Sequence, residues 1–189
     1  MKLYFLYGSM NSAKSLNLLA KAHQFEDAGF KVMLLKPSED TRSLGKISSR
    51  VGLEKECYLI NEQDNLFKDL EYSKYDVIMV DEVQFLTKEQ IQQLWKISRT
   101  GRRVFCYGLK TTFLNTLFDA SLELMIMADK IEEIVSKCKY CSNKATTHLK
   151  LGGDMTKAKQ VGDVEESGLS EIVYESVCQE CYAKKMSNV

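Results

Sequence analysis

Apolar residues fall in blocks along the first two thirds of the chain, and the blocks carry two different periods. Leu3 to Tyr7 (LYFLY) is a short, continuous, β-prone run that ends at Gly8. From Ser15 to Asp27 the apolar positions return at helical spacing, with Leu16, Leu19, Ala20 and His23 on the expected face and Gly29 as the stop. Phe30 to Leu35 predicts a second strand halted by Pro37. The polar stretch Ser38 to Arg50 that follows is long enough for a ligand-facing loop. Tyr58 to Ile60 is a short strand, the segment around Leu66 to Leu70 a short helix, and Tyr75 to Val80 a buried strand ending at Asp81-Glu82. Thr87-Lys-Glu-Gln90 has the form of a capping box and opens a helix with Ile91, Leu94 and Trp95 on one face and Gly101 at its end. Val104 to Leu109 is another buried strand, and Ile131 to Val135 is the last of the sheet. Strand patterns alternating with helix patterns predict a mostly parallel sheet covered by helices, so the fold class is α/β.

Beyond Ser136 the pattern changes to short strands and polar loops, with no helical period until the end of the chain. A boundary is therefore expected there, giving one domain over 1–136 and a second over 137–189. The second part carries four of the six cysteines in two matched pairs, Cys138-x-x-Cys141 and Cys178-x-x-Cys181. Each such knuckle supplies two thiolates from one turn, and two knuckles make the closed tetrahedral set of a structural Zn²⁺ site. A closed site has no open position for catalysis. The long spacing between the pairs requires a protruding loop of roughly Gly152 to Glu171. Cys57 and Cys106 lie in apolar runs and are expected in the core; His23 and His148 are expected on a helix face and a strand rather than as ligands.

Charge and hydropathy exclude several classes. The 26 basic and 26 acidic side chains cancel, so no global field recruits nucleic acid or an anionic membrane. No apolar run approaches the ~20 residues of a membrane span, and the first residues lack the parts of a secretory signal. A cytoplasmic location is expected.

The candidate chemistry begins at the turn after the first strand. Gly8 to Ser15, GSMNSAKS, fits the strand, glycine loop, Lys-Ser/Thr, helix arrangement of a phosphate-binding loop at every fixed position but one, where Ala13 replaces the second glycine. In that arrangement backbone N–H groups of Gly8, Ser9, Met10, Asn11, Ser12 and Ala13, with the positive end of the helix, converge on phosphate oxygens. Lys14 reaches the terminal phosphates and the Ser15 hydroxyl can ligate Mg²⁺. A glycine before the lysine tolerates backbone angles that cost a residue with a Cβ about 1 to 2 kcal/mol. An ordinary strand-to-helix turn could carry the same residues, so a second motif matters. Asp81, at the carboxyl end of a buried strand, stands where enzymes with such loops hold Mg²⁺ through water. Glu82 after it would point into the crevice, where a carboxylate can accept a hydroxyl proton.

Six stretches together carry a resemblance. They are YGSMNSAKS, Asp40-Thr-Arg42, Ser48-Ser-Arg50-Val-Gly-Leu, Val80-Asp-Glu-Val-Gln-Phe-Leu86, Cys106-Tyr-Gly-Leu-Lys-Thr-Thr-Phe113, and the cysteine pairs with Tyr174-Glu-Ser-Val-Cys178. Over nearly its whole length the chain resembles the zinc-containing thymidine kinases of bacteria, animals and poxviruses. The resemblance implies a P-loop (RecA-like) sheet with helices on both faces, and transfer of the ATP γ-phosphoryl group to the 5′-hydroxyl of thymidine. It implies Glu82 as general base, with Arg42 and Lys14 on the transferring group. Asp40, Asp81 and Gln84 join the loop residues in binding ATP and Mg²⁺. It implies a thymine site walled by Met10 and Leu109, with Phe113 stacked on the base and Tyr174 near sugar and base. A lasso tethered by the zinc domain, about 152–174, covers the base. A homotetramer and end-product inhibition by thymidine triphosphate come with the family.

Two departures bear on this expectation. Ala13 replaces the family glycine, and the stretch Val161 to Val173 is longer and more acidic than the family's Val-x-Ile-Gly-Gly, which bears on base selectivity. Two other classes stay open. Asp81-Glu-Val-Gln84 downstream of a phosphate loop, with a cysteine zinc module, also fits a nucleic-acid-dependent ATPase. Ala13 alternatively fits an interaction module whose nucleotide site is dead.

Overall fold

The computed structural model describes residues 2–43, 45–151 and 173–187. Its frame is six parallel strands: β1 (Leu3–Tyr7), β2 (Val32–Pro37), β5 (Tyr58–Ile60), β6 (Val77–Val80), β7 (Arg103–Gly108) and β8 (Lys130–Glu133). Across the sheet they run β5-β2-β6-β7-β1-β8. Because every pair is parallel, all carboxyl ends open on one edge, where α/β proteins bind ligands. β7 lies between β1 and β6, so the phosphate-loop turn and Asp81 face one another from strands that are not neighbours.

The four central strands, β2, β6, β7 and β1, are largely apolar on both sides because both faces are covered. On one face Leu3, Phe5, Met33, Leu35, Ile78, Val80, Val104 and Cys106 pack with Ile91, Leu94 and Ile97 of α3 (Lys88–Arg99) and Ala120 and Leu124 of α4 (Asp119–Met127). Leu66 of the short α2 (Leu66–Asp69) joins them. On the other face Leu6, Leu34, Val77, Met79, Phe105 and Tyr107 meet Leu18, Leu19 and Ala22 of α1 (Lys14–Asp27). The α1 face is thus rotated from the sequence expectation. Ala20 and His23 are exposed, and the sheet takes Leu18 and Ala22 instead. On α3, Ile97 completes the buried row and Trp95 is half-buried at its margin; the capping box at Thr87 and Gln90 is present.

Three elements depart from the pattern reading. The polar stretch after β2 is partly ordered as a hairpin, β3 (Lys46–Ser48) against β4 (Glu54–Glu56), which tucks Ile47 fully into the α1 face. The strand β2 includes Pro37, which sits at its last position where the missing N–H costs little. Helix α4 shows no single apolar face, since Leu122, Met125 and Ile126 are exposed opposite the buried Ala120, Ser121 and Leu124; periodicity could not announce it.

Past β8 the chain forms a two-stranded antiparallel sheet, β9 (Thr147–Leu151) with β10 (Val173–Val177), and then α5 (Gln179–Met186). Its small core is Leu149, Val177, Cys138 and Cys178, with Tyr182 and Met186 against it. Among the described residues no helix is long and apolar enough to cross a membrane.

Candidate active site

Gly8 closes β1, and a Cβ there would lie 2.3 Å from Ser12 Oγ and 2.7 Å from Ile134 O, so only glycine lets the loop fold back this tightly. The turn passes through two left-handed residues, Asn11 (φ 62°) and Ala13 (φ 60°), before α1 starts at Lys14. Ala13 therefore occupies the conformation glycine prefers, and the strain expected from the sequence is present. Ala13 makes no side-chain cap, which leaves the first amides of α1 to whatever enters the crevice. Lys14 is buried, and its Nζ donates to Ser9 O at 2.8 Å. Ser12 Oγ is buried without a hydrogen-bond partner, a donor left over inside an anion-shaped turn.

Across the crevice Ser15 Oγ donates to Asp81 Oδ2 at 2.7 Å. Burial, with the charge of Glu82 beside it, pushes the Asp81 carboxyl up to about 7, against the pull of the Ser15 hydroxyl, the Glu82 N–H and Lys14. A divalent cation beside Ser15 would supply the positive charge this buried carboxyl lacks and hold it in its ionised form. Glu82 turns off the strand in a left-handed conformation (φ 50°), and its Oε2 accepts from Gln84 Nε2 at 2.6 Å. The other end of that amide accepts the Leu109 N–H at 2.9 Å. Gln84 thus lies behind the crevice and holds Glu82 against the turn after β7. Gly108 makes room for it, since a Cβ there would meet Gln84 Oε1 at 2.5 Å.

These groups line a cleft of about 530 Å³ bounded by residues 11–16, Asp81 and Glu82 on one side and by Lys36, Asp40, Ser43 and residues 47–51 on the other. Its size is that of a nucleotide-scale ligand site. The far wall holds a group that the motifs did not single out. Lys36, 2% exposed inside an otherwise apolar strand, pairs with Asp40 Oδ2 at 3.0 Å and donates to Ser43 O and Oγ at 3.0 and 3.1 Å. The sequence signal was a lysine in the run VMLLKP. Arg42 lies in the turn Thr41–Ser43, and its side chain is outside the described residues.

The residues expected around a base are partly gathered. The Phe113 and Tyr174 rings lie 6.5 Å apart, tilted by 51°, and Leu109 and Phe113 are nearly buried. Met10 is half-buried, and its carbonyl accepts from Ser176 Oγ. His148 stands edge-on to Tyr174 at 6.1 Å, and its Nδ1 is buried without a partner. Burial, with the Lys14 charge, holds its pKa down to about 4, so it is a neutral imidazole behind the phosphate loop. The lasso expected over 152–174 falls outside the described residues except for Val173 and Tyr174.

The four knuckle cysteines converge. Their sulfurs all lie within 4.8 Å of one another, with Cys141–Cys178 at 3.7 Å and Cys141–Cys181 at 3.8 Å. Tetrahedral Zn–S bonds of about 2.3 Å require S···S edges of about 3.8 Å, which two of these separations match and the rest approach within about 1 Å, so the set fits such an ion. The thiols are free rather than paired as disulfides.

Comparison with known proteins agrees with this geometry. The thymidine kinase family model matches residues 1–182. The thymidine kinase of Francisella tularensis subsp. holarctica (strain LVS) is 35% identical over 187 residues, covering 94% of both chains. That of Lactococcus lactis subsp. lactis (strain IL1403) is 37% identical over 188 residues, covering 97% of both. Among solved structures, the flagellar accessory protein FlaH from Methanocaldococcus jannaschii is similar at a TM-score of 0.50 and 11% identity, over 76% of this chain and 74% of that one. That likeness concerns the fold alone.

Proposed function

The chain belongs to the thymidine kinase family, and from that premise we propose that it transfers the γ-phosphoryl group of ATP to the 5′-hydroxyl of thymidine. The observation that carries the reading is the meeting of Ser15 and Asp81 at 2.7 Å, with Glu82 as the next residue at the strand end. Phosphate loop, metal-suited carboxylate and base follow one another around a single cleft.

In this reading the N–H groups of Ser9 to Ala13 and of the α1 start hold the donor phosphates, while the Gly8 N–H is taken by Gly108 O at 3.3 Å and Gly8 serves to let the turn close; Lys14 leaves Ser9 O for the transferring group. Mg²⁺, which would accompany ATP as part of the substrate, would supply charge neutralisation on the phosphates. Ser15 and Asp81 would hold that ion and its water, with Asp40 on the facing wall of the cleft. Glu82 takes the proton of the 5′-hydroxyl as the new O5′–P bond forms and the bond from the γ-phosphorus to the bridging oxygen breaks, and ADP leaves with that electron pair. The transition state of such a transfer is loose. Alignment by the loop and charge from Lys14 and Arg42 therefore outweigh proton abstraction. Gln84, which the resemblance groups with the ATP and Mg²⁺ residues, works through Glu82. Thymine lies against Phe113, Met10, Leu109 and Tyr174 beneath the lasso.

Zn²⁺ on Cys138, Cys141, Cys178 and Cys181 is the staple of a module over 137–189, separate in role from the kinase body over 1–136. A homotetramer, inhibition by thymidine triphosphate and a cytoplasmic setting belong to the same reading, and family likeness is their support. The test is stoichiometric formation of ADP and thymidine 5′-monophosphate from ATP, Mg²⁺ and thymidine. ATP consumption stimulated by DNA and indifferent to thymidine would replace this reading with a nucleic-acid-dependent ATPase.

A further inference from the structure

Two hydroxyl contacts join the cysteine module to the phosphate loop. Ser136 Oγ lies 2.6 Å from Ser9 Oγ, and Ser176 Oγ donates to Met10 O. Both serines stand two residues before the first cysteine of a knuckle, in Ser136-Lys-Cys138 and Ser176-Val-Cys178. The repetition matters because it makes the position of each hydroxyl a consequence of where its knuckle sits.

The backbone beneath the two serines is tied into the same knuckles. Ser136 O accepts the Ala145 N–H at 2.8 Å, closing the turn that carries Cys138 and Cys141, and Ser176 O accepts the Lys139 N–H at 2.9 Å, which stitches one knuckle to the other. The apolar core around them is only a few side chains, so cross-linking the four sulfurs through a metal largely decides how rigidly this backbone is held. On the loop side, Ser136 holds Ser9 at its hydroxyl and Ser176 holds Met10 at its carbonyl, and neither bond has to break when a phosphate enters. Loop residues held before ligand arrives lose less freedom when it binds.

We infer that Ser136 and Ser176 are positioning residues for the phosphate loop, through which the four-cysteine staple sets the affinity for nucleotide. The inference rests on Gly8 to Ser15 being the ATP phosphate site. It departs from a purely local role for the metal, since it predicts that a group far from the substrates in function changes ATP binding and not thymidine binding.

The experiment compares the metal-loaded native chain with Ser136→Ala, Ser176→Ala and the double variant, reading zinc content, the dissociation constant of a fluorescent ATP analogue with Mg²⁺, and KM for each substrate. Having to order on binding two loop residues that the native chain holds beforehand predicts a weakening of roughly five- to thirtyfold for the double variant. Zinc content is unchanged and KM for thymidine moves less than twofold, and Ser176→Thr, which keeps the hydroxyl, recovers most of its share. Chelation of the native chain, at levels that leave circular dichroism unchanged, gives the same weakening and adds little in the double variant. A double variant that binds the analogue as tightly as the native chain overturns the inference while leaving the kinase reading intact. Chelation that weakens native and double variant alike overturns the route through the serines. A native chain that binds no analogue sinks the kinase reading itself.

Discussion

Gln84 grips Glu82 from behind, its Nε2 donating to Glu82 Oε2 at 2.6 Å while its Oε1 takes the Leu109 N–H at 2.9 Å. One buried amide therefore fixes the aim of the proposed base and anchors the turn that leads to Phe113. Replacing Gln84 with leucine leaves the buried Leu109 N–H without an acceptor, a cost of about 1 to 3 kcal/mol in stability, and removes the Gln84 hold on Glu82 Oε2. The expected result is a kcat reduced roughly tenfold or more with KM for ATP little changed, measured by steady-state kinetics alongside urea unfolding. Native kcat in the leucine variant would show that Glu82 needs no such support.

Ala13 sits in a left-handed conformation at φ 60°. Ala13→Gly removes the clash of its Cβ with the backbone and is expected to raise stability by up to about 1 kcal/mol and to tighten ATP binding. Denaturant unfolding and nucleotide titration check both, and a glycine variant that is less stable and binds ATP no better contradicts the account of this residue.

The neutral His148 gives a pH dependence whose sign can be worked out. Its folded pKa of about 4 lies below the ordinary 6.5, so between those values the unfolded chain takes a proton that the folded chain refuses, and stability falls as pH drops through that window. Lys14, Lys110, Glu133, Tyr7 and Tyr174 are the charged and titratable groups that face it or line the same small cavity. Asp81 acts in the opposite sense, because its raised pKa of about 7 lets the folded chain keep a proton the unfolded chain has lost, so that contribution falls as pH rises from about 4 to 7. Comparing native with His148→Leu cancels the Asp81 part. The native chain should lose about 2 to 3 kcal/mol relative to the variant between pH 7.5 and 4.5. Parallel unfolding curves across that range would place the histidine in water.

The residues with local signatures were legible before any coordinates. A phosphate loop, a capping box and paired cysteines are each written in a few consecutive positions, because one turn of backbone dictates them. The four central strands, β2, β6, β7 and β1, were equally readable, since burial on both faces of a parallel sheet leaves a largely apolar run. What escaped depends on parts far apart in the chain. Lys36 looks like a misplaced surface residue until Asp40 and Ser43 fold back over it. Ser136 and Ser176 are ordinary polar residues until their knuckles bring them to Ser9 and Met10. The α1 face, by contrast, was local, since Leu18, Leu19, Ala22 and Phe25 recur at helical spacing and pack on the sheet, one position round from the face built on Leu16, Ala20 and His23.

The central claim is that this cleft phosphorylates a pyrimidine deoxynucleoside with Glu82 as base. Its most direct test is a panel of nucleosides assayed with ATP and Mg²⁺ on the native chain and on Glu82→Gln. The account predicts phosphorylation of thymidine by the native chain, with kcat for Glu82→Gln lower by about 10²-fold or more at nearly unchanged KM for thymidine. Failure of the native chain to phosphorylate any pyrimidine deoxynucleoside would contradict it.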